Sequence, residues 1–588
     1  MSRVLLAALL LTPPLAAAPG EDVLALASDK SLVVLQIHGV ERAQDRLTTV
    51  LKAAVPDLAD RATRNIRETL AEVLVGRDLK ALRGDGRILI TVSDLDTAAD
   101  KAGITFLFPV QTADAFRKGF LTDAERTSLK KDGDLETLKF EDQEVPFYLA
   151  GLKDYVVVSA DRELTAAYAT GAVAGVGKRA SPEISQAFHA GDVSLFVNAT
   201  AVQAKYGAEV KRFKGLAETL LKGDGVRGVN KGQMAQLKGV LDAAFQIVED
   251  GTAAVLTVEF RPDGFRLLGL AQFGEKTTTA SALQKYKLSP FEALGTLPAG
   301  QAVYSASNLN LGGSEAGELV AGVFTADDED AAARETIAGH LKDLRAADHG
   351  LTLTAGAMLA AGGLEALASK DAAKIVETRL KVLKALTATG SFANVSLKGK
   401  PEVRENAEKV GGFSLHAVTV KYDFDRATDD LPAETRDATK ASLKRSLGGD
   451  EGRLWFGTDG RTVLQVAGPD WPTAKALAEG YLSGGTGVGK DEAFQLTRKQ
   501  LPAEASMLAV LDAGRTAHSL LGLVRDTAGA VPGVPAQVPE GKAPVGKPAY
   551  IGAAVVLTAG HGGFELLVPA GAVAPIRALI EPLLDNRD

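Results

Sequence analysis

The chain of 588 residues contains no cysteine, two tryptophans and only 5% aromatic residues. The absence of cysteine excludes disulfides, thiol nucleophiles, zinc–thiolate sites and lipid attachment through a cysteine. Sugar-binding and base-stacking surfaces depend on exposed aromatic rings, so we expect Trp455 and Trp471 to lie in the core. The formal net charge of -8 is small for this length, and no basic block is present, so nucleic acid is not an expected partner.

Long hydrophobic runs are also missing. The apolar stretch from Val4 to Leu11 follows Arg3 and is broken at Pro13 and Pro14, well short of the roughly 20 residues of a spanning helix. Small residues follow at 16–18, a pattern that is typical of an export signal. We predict a signal peptide over residues 1–20, with cleavage between 18 and 27, and an exported chain, periplasmic or extracellular, with no transmembrane span.

What the sequence does contain is repetition. A short apolar strand followed by a helix is predicted at 27–38, 190–198, 299–308 and 503–512, and a hairpin followed by a helix at 147–171 and 454–480. A second hairpin has strands beginning at Ala253 and Gly264 in one copy and at Ala553 and Gly563 in the other. The order of these segments predicts an α+β fold of two similar halves, each a mainly antiparallel sheet covered by helices.

The predicted halves are residues 21–287 and 288–588. The second half contains a Pro/Gly-rich loop at 531–549, where no periodic pattern is present. The alternative interpretation is a general α+β chain whose strands resemble one another because all strands do. Sequential hairpins favour antiparallel pairing with helices laid over one face of the sheet.

Hydrophobic periodicity predicts how three elements are buried. In the strand from Ala253, the set Ala254, Leu256, Val258 and Phe260 alternates with polar residues, which predicts that this set faces the core. The helix after residue 198 carries one stripe that we expect to be buried, with Asn198 or Thr200 as its N-cap; the stripe consists of Val202, Tyr206, Val210, Phe213, Leu216 and Leu220. The strands at 88–90, 104–110 and 155–158 are apolar on both faces and need cover on both sides.

The closest match to a nucleotide-binding motif is the segment 484–490, which fits G-x-x-x-x-G-K. Asp491 stands where a phosphate-binding loop needs Ser or Thr, and a helix pattern precedes the segment where a strand is required. We interpret it as a flexible glycine loop.

The seven histidines have no spacing typical of a metal site or a catalytic motif; they are His38, His189, His340, His349, His416, His518 and His561. His38 and His416 fall in predicted strands, where a hydrogen-bonded structural role is favoured. Glu141, Asp142 and Glu144 are interpreted as an exposed acidic loop, and the acidic run 327–330 as a solvated connection. No serine lies in a nucleophile elbow. The sequence therefore assigns no catalytic, cofactor-binding or metal-binding residue, and no cofactor.

The strand segment 191–198, its counterpart at 501–504 and the repeated hairpins resemble large exported bacterial proteins of unknown function with duplicated halves. This resemblance implies neither an activity nor functional residues. The first hypothesis is a non-catalytic protein that binds or scaffolds an unknown protein in the cell envelope. The alternatives are a carrier of an apolar small molecule or lipid, because strands apolar on both faces can line a cavity, and a hydrolase whose site is assembled from distant residues.

Overall fold

The computed structural model describes residues 22–56, 59, 64, 77–94, 103–140, 145–222, 241–242, 245–309, 331–356, 362–387, 390–392, 395–429, 433–484, 487–526, 547–575 and 577. The predicted signal peptide, the carboxylates at 141–144, the acidic run 327–330 and most of the loop 531–549 lie outside these residues.

The described strands are β1 Val33–His38, β2 Arg87–Val92, β3 Ile104–Pro109, β4 Lys130–Asp132, β5 Leu135–Leu138, β6 Phe147–Leu152, β7 Tyr155–Ser159, β8 Val193–Val197, β9 Gly251–Arg261, β10 Gly264–Phe273, β11 Val303–Ser307, β12 Thr352–Gly356, β13 Gly363–Ala368, β14 Ser391–Phe392, β15 Val395–Ser396, β16 Glu402–Val410, β17 Phe413–Lys421, β18 Glu451–Thr458, β19 Thr462–Ala467, β20 Met507–Asp512, β21 Tyr550–Thr558 and β22 His561–Pro569.

The described helices are α1 Val40–Ala54, α2 Ala113–Ala115, which continues as a π-helical turn Phe116–Phe120, α3 Asp123–Ser128, α4 Arg162–Ala169, α5 Pro182–Ala190, α6 Ala199–Lys222, α7 Thr278–Leu283, α8 Ala331–Ala346, α9 Ala372–Ala385, α10 Phe424–Ala427, α11 Ala433–Ser446, α12 Trp471–Ser483, α13 Glu492–Gln500 and α14 Ala513–Asp526. Short 3-10 helices lie at Val23–Ala25, Leu79–Ala81, Val176–Arg179, Glu292–Thr296 and Val488–Lys490.

Twenty of the described strands form one antiparallel sheet, and β14 and β15 form a separate hairpin. The pairings give the order β4-β5-β6-β7-β3-β2-β1-β8-β9-β10-β22-β21-β20-β11-β12-β13-β19-β18-β17-β16. An α+β fold built on a large antiparallel sheet is thereby confirmed.

The strand order can be followed outward from the central pair, β10 and β22. On one side it continues through β9, β8, β1 and β2, and on the other through β21, β20, β11 and β12. The segments that the sequence analysis pairs with each other stand at matching places in this order. For example, β1 and β11 are each the third strand outward from the central pair.

One face of the sheet, called here the first face, carries two apolar clusters that helices cover. Helices α4 and α5 pack on Leu89, Leu107 and Val157, and helices α12 and α13 pack on the corresponding part of the other side. Each helix begins at a residue whose side chain accepts a hydrogen bond from a backbone N–H of the first turn; these residues are Asp161, Ser181, Asp470 and Asp491. Trp455 and Trp471 lie at this core with ring centroids 5.5 Å apart, as predicted.

The opposite, second face is covered by chain segments near both ends of the sheet. Phe116 and Phe120 pack on Val158 and its neighbours, and α9 packs on Leu367 and its neighbours at the far side. Cover therefore lies on both faces, and the expectation that helices lie over one face is wrong. The reason is that the outer strands are apolar on both sides: Val157 faces one cluster and Val158 the other, and both are buried.

The prediction for β9 is also wrong, because the strand turns its other side to the core. Val255 and Thr257 are buried, whereas Leu256 is 41% exposed. The polar residue is accommodated on the first face because the Thr257 hydroxyl donates to the Ala187 carbonyl at 3.0 Å. Alternation alone identified the strand but not the side on which its partners lie.

Helix α6 confirms the predicted cap and contradicts the predicted burial. The Asn198 side-chain oxygen accepts from the Ala201 N–H at 3.2 Å. The beginning of the helix is tied to the sheet, where Gln203 donates to the Gly251 carbonyl. Farther along, Phe213 is 64% and Leu216 56% exposed, so these two residues of the stripe are not buried.

Candidate functional site

The middle of the second face carries a continuous row of apolar side chains that crosses six neighbouring strands. Cross-strand register places one residue of each strand in this row. The row consists of Leu195, Leu256, Gly269, Phe564, Val555 and Met507, and it is called here the central apolar strip. A parallel row two positions along the strands is apolar as well; it consists of Val193, Val258, Leu267, Leu566, Ala553 and Ala509.

The strip is open to solvent at its centre. Leu256 is 41% and Phe564 44% exposed, although both lie on inner strands of a twenty-stranded sheet. Gly269 lies between them, and a Cβ atom there would meet Cε1 of Phe564 at 2.3 Å, so the phenyl ring rests on the glycine backbone. Exposed apolar side chains in a contiguous group typically mark a binding surface.

The strip ends where the second face becomes polar. Ser307 lies opposite Met507 on the next strand, and beyond Ala509 of the parallel row lie Ser305 and Thr354, whose hydroxyl oxygens are 2.6 Å apart. One strand farther, Arg379 donates to Glu365 at 2.7 Å and to Gln465 at 3.1 Å. The apolar surface is therefore bounded on this side by hydrogen-bonded polar pairs.

A second unusual group lies at the end of β1 and is called here the arginine cluster: His38, Arg42, Arg46, Arg87 and Asp192. Arg42 and Arg46 are one helical turn apart on α1, and Arg87 lies directly across from His38 on the neighbouring strand β2. Asp192 precedes β8. Arg42 and Arg46 thus share one carboxylate.

Asp192 is fully buried, and both of its carboxylate oxygens accept hydrogen bonds. Arg46 donates to Oδ1 at 3.1 Å and to Oδ2 at 3.3 Å, the Phe260 N–H donates to Oδ2 at 2.8 Å, and Arg42 Nε lies 3.5 Å from Oδ1. Arg87 has no carboxylate within ion-pair distance among the described residues. It donates at longer range to the Gln36 side chain at 3.4 Å and to the His189 carbonyl at 3.3 Å.

His38 is held neutral in this group. Burial, followed by the charges of Arg87 and Arg42, lowers its pKa to about 4. Burial also lowers the pKa of Arg87 from its ordinary value. Arg42 can only donate, so His38 Nε2 accepts at 3.3 Å and the ring proton is on Nδ1. That Nδ1 is buried without a hydrogen-bond partner, as is Arg42 Nε.

Sequence reasoning missed this cluster. His38, Arg42 and Arg46 follow one another at four-residue spacing, a signal that was readable in the sequence. Arg87 and Asp192 join them only through the register of β1 with β2 and β8, which the sequence does not specify.

Two histidines contact a serine in the described part of the chain, but neither does so in a catalytic arrangement. His189 Nδ1 lies 3.4 Å from Ser185 Oγ and 2.6 Å from the Ser185 carbonyl oxygen of the same helix. His561 Nε2 lies 3.0 Å from Ser181 Oγ and 3.7 Å from a Glu183 carboxylate oxygen. A relay needs the carboxylate on the other ring nitrogen, and Ser181 Oγ already caps α5. The contact ties β22 to α5 and gives no support to the hydrolase hypothesis.

The glycine-rich segment 484–490 is packed at its described end. A Cβ atom on Gly487 would lie 2.3 Å from the Gly295 carbonyl oxygen, and one on Gly489 would lie 2.9 Å from Gly295 Cα. Helix α12 precedes the segment and ends at Gly484. These glycines permit close backbone packing, and the helix occupies the position where a phosphate-binding loop needs a strand.

The remaining polar candidates have structural partners. His416 accepts from the Asn406 N–H at 3.2 Å, in keeping with its predicted role. A cleft beside α13 is lined by Phe291, Leu501 and Arg498, and that arginine donates to the carbonyls of Pro290, Pro502 and Ala503. Among the described residues there is no group of three or more metal-ligating side chains, and no helix there has the length and hydropathy to cross a membrane.

Comparison with known proteins gives no relative: no protein-family model, no curated protein and no solved structure matches this chain.

Proposed function

We propose that the chain is an exported, non-catalytic binding protein that carries an apolar small molecule or lipid chain on the central apolar strip. The observation that carries this proposal is the exposure of Leu256 and Phe564 in the middle of the sheet. Removing such surface from water contributes about 25 cal/mol per Å².

The dimensions of the strip favour a small ligand over a protein partner. Six strands at the usual spacing give a length of about 24 Å, and one row of side chains gives a width of about 7 Å. The area is then roughly 170 Å², compared with about 800 Å² that each partner buries in a stable protein interface. A narrow apolar strip of this kind matches an extended hydrocarbon chain.

The same proposal includes an origin by internal duplication. It is supported by the matching strand orders on the two sides of the β10–β22 pair. Export is proposed from the pattern of the first 18 residues, and the mass of the denatured protein from its native source tests it by giving the cleavage point.

The ligand is tested by native mass spectrometry of the purified protein, followed by titration of the extracted protein with the neutral dye Nile red. We expect an extra mass that organic extraction removes and saturable dye binding. The double variant Leu256→Ser/Phe564→Ser is expected to bind the dye at least about tenfold more weakly, because two apolar contacts are lost.

Leu496→Ser is the matched control, because Leu496 is 54% exposed but lies on α13, away from the strip. It is expected to bind dye like the unaltered protein. A bare native mass together with equal dye binding by the double variant would exclude this function.

A further inference from the structure

The arginine cluster has hydrogen-bond donors without acceptors. Buried polar groups are normally paired, and those that are not call for an explanation such as a bound ion. His38 Nδ1–H is buried without a hydrogen-bond partner, Arg42 Nε–H has only the distant Asp192 Oδ1 atom at 3.5 Å, and Arg87 makes only long bonds to uncharged oxygens. Three donor side chains in one group lack a good acceptor.

The net positive charge of the cluster also favours binding of an anion. Arg42, Arg46 and Arg87 carry three positive charges, and Asp192 is the carboxylate within ion-pair distance of this group in the described part of the chain. Two positive charges remain uncompensated. Helix α1 begins at Gly39 beside the cluster, and the N-terminal end of a 15-residue helix adds partial positive charge there.

The cluster is reachable from solvent. The side chains of Arg42 and Arg46 are 40% and 39% exposed, while Asp192 beneath them is 0% exposed. The exposed parts of Arg42 and Arg46 therefore lie on the solvent side of the buried carboxylate.

We propose that the arginine cluster is a binding site for an oxyanion of the phosphate or phosphomonoester class, held by Arg42, Arg87 and the Nδ1–H of His38. Each unprotonated oxygen of such an anion accepts hydrogen bonds, so the anion offers acceptors of the kind that these donors lack. Asp192 holds Arg46 and orients Arg42, and acts as a positioning residue. This site does not depend on the central apolar strip.

The test uses the full chain and inorganic phosphate as the probe, with binding followed by calorimetry and by the imidazole proton signals of His38. We expect saturable binding and a rise in the pKa of His38 when phosphate is present, because the anion stabilises the protonated ring. Arg87→Gln is expected to weaken binding at least about tenfold through loss of a charge-assisted hydrogen bond.

Arg42→Gln provides a second variant at a partly exposed position, in case Arg87→Gln does not fold. Arg162→Gln is the control, since Arg162 is an exposed arginine paired with Asp132 far from the cluster. The control should bind phosphate normally. Absence of binding by the unaltered protein, or equal binding by the folded Arg87 and Arg42 variants, would overturn the proposal.

Dodecyl phosphate separates the two sources of such an anion. If the site takes the headgroup of an amphiphile, dodecyl phosphate binds more tightly than phosphate, and Leu256→Ser/Phe564→Ser removes the difference. If the site takes a free anion, the two probes bind alike. Phosphate has no apolar part, so its binding tests the arginine cluster independently of whether the central apolar strip binds an apolar molecule.

Discussion

Strands β1 and β11 stand at the same place in the sheet and carry opposite chemistry. On one side of the molecule, Ile37 of β1 pairs with Val193 of β8. At the matching place on the other side, Ser307 of β11 pairs with Met507 of β20. On the second face, β1 has Leu35 and Ile37 where β11 has Ser305 and Ser307. On the first face the relation is reversed, because buried Gln36 of β1 corresponds to Ala306 of β11.

This comparison separates what backbone pairing determines from what side chains determine. The antiparallel ladder gives both sides one strand order, because hydrogen bonding between strands does not depend on which side chains point to which face. The polarity of each face depends on the groups that cover it. The arginine cluster therefore belongs to particular side chains, and the residues matched to His38 and Asp192 are Asn308 and Ser506.

The largest expected difference between the two sides is in the loss of unfolding free energy when the residue that precedes β8, Asp192, or the residue that precedes β20, Ser506, is replaced by alanine. Asp192→Ala leaves the arginine cluster without its carboxylate and is expected to cost about 3 kcal/mol of unfolding free energy. The matched residue Ser506 is also fully buried and accepts from the Leu557 N–H at 3.1 Å, so Ser506→Ala should cost about 1 kcal/mol. Urea denaturation measures both, and equal losses would contradict the contrast.

A smaller difference is expected in the dependence of stability on pH. The pKa of His38 is about 4 in the folded protein and 6.5 ordinarily, so the unfolded state binds more protons between these values. His38 therefore lowers the free energy of unfolding as pH falls from 6.5 toward 4. The groups that set this pKa are Arg87, Arg42, Arg46 and Asp192.

His38→Asn introduces the residue found at the matched position 308 and removes this titration. Urea denaturation at several pH values should show a shallower loss of stability for the variant between pH 6.5 and 4. Parallel curves for the two proteins would show that His38 is not held neutral.

The smallest expected effect is at the polar boundary of the strip. The double variant Ser305→Val/Thr354→Val replaces both partners of a hydroxyl pair with apolar groups of similar shape and should change stability by less than about 1 kcal/mol. It makes the second face of β11 resemble that of β1, so Nile red should bind more tightly. Unchanged dye binding would place the ligand elsewhere.

The sequence predicted the strands and hairpins because alternation and turn residues are local. It failed where burial depends on distant partners: Thr257 faces the core because the Ala187 carbonyl accepts its hydrogen bond. It also failed for Phe213, because a helical stripe does not show how much of its surface becomes buried. The arginine cluster depends on the register of β1, β2 and β8, and no local pattern encodes that register.

The pairing of β10 with β22 covers a strand edge that would otherwise be exposed. Strands β10 and β22 pair antiparallel over nine residue pairs, with Leu268 opposite Glu565 near the middle. A fragment ending at residue 287 would expose the whole edge of β10, with its free backbone N–H and C=O groups. Antiparallel pairing is the arrangement that a two-fold axis produces, so two such fragments have the geometry to close that edge on each other as a symmetric dimer. In the full chain, β10 and β22 belong to one molecule, so their pairing does not depend on protein concentration.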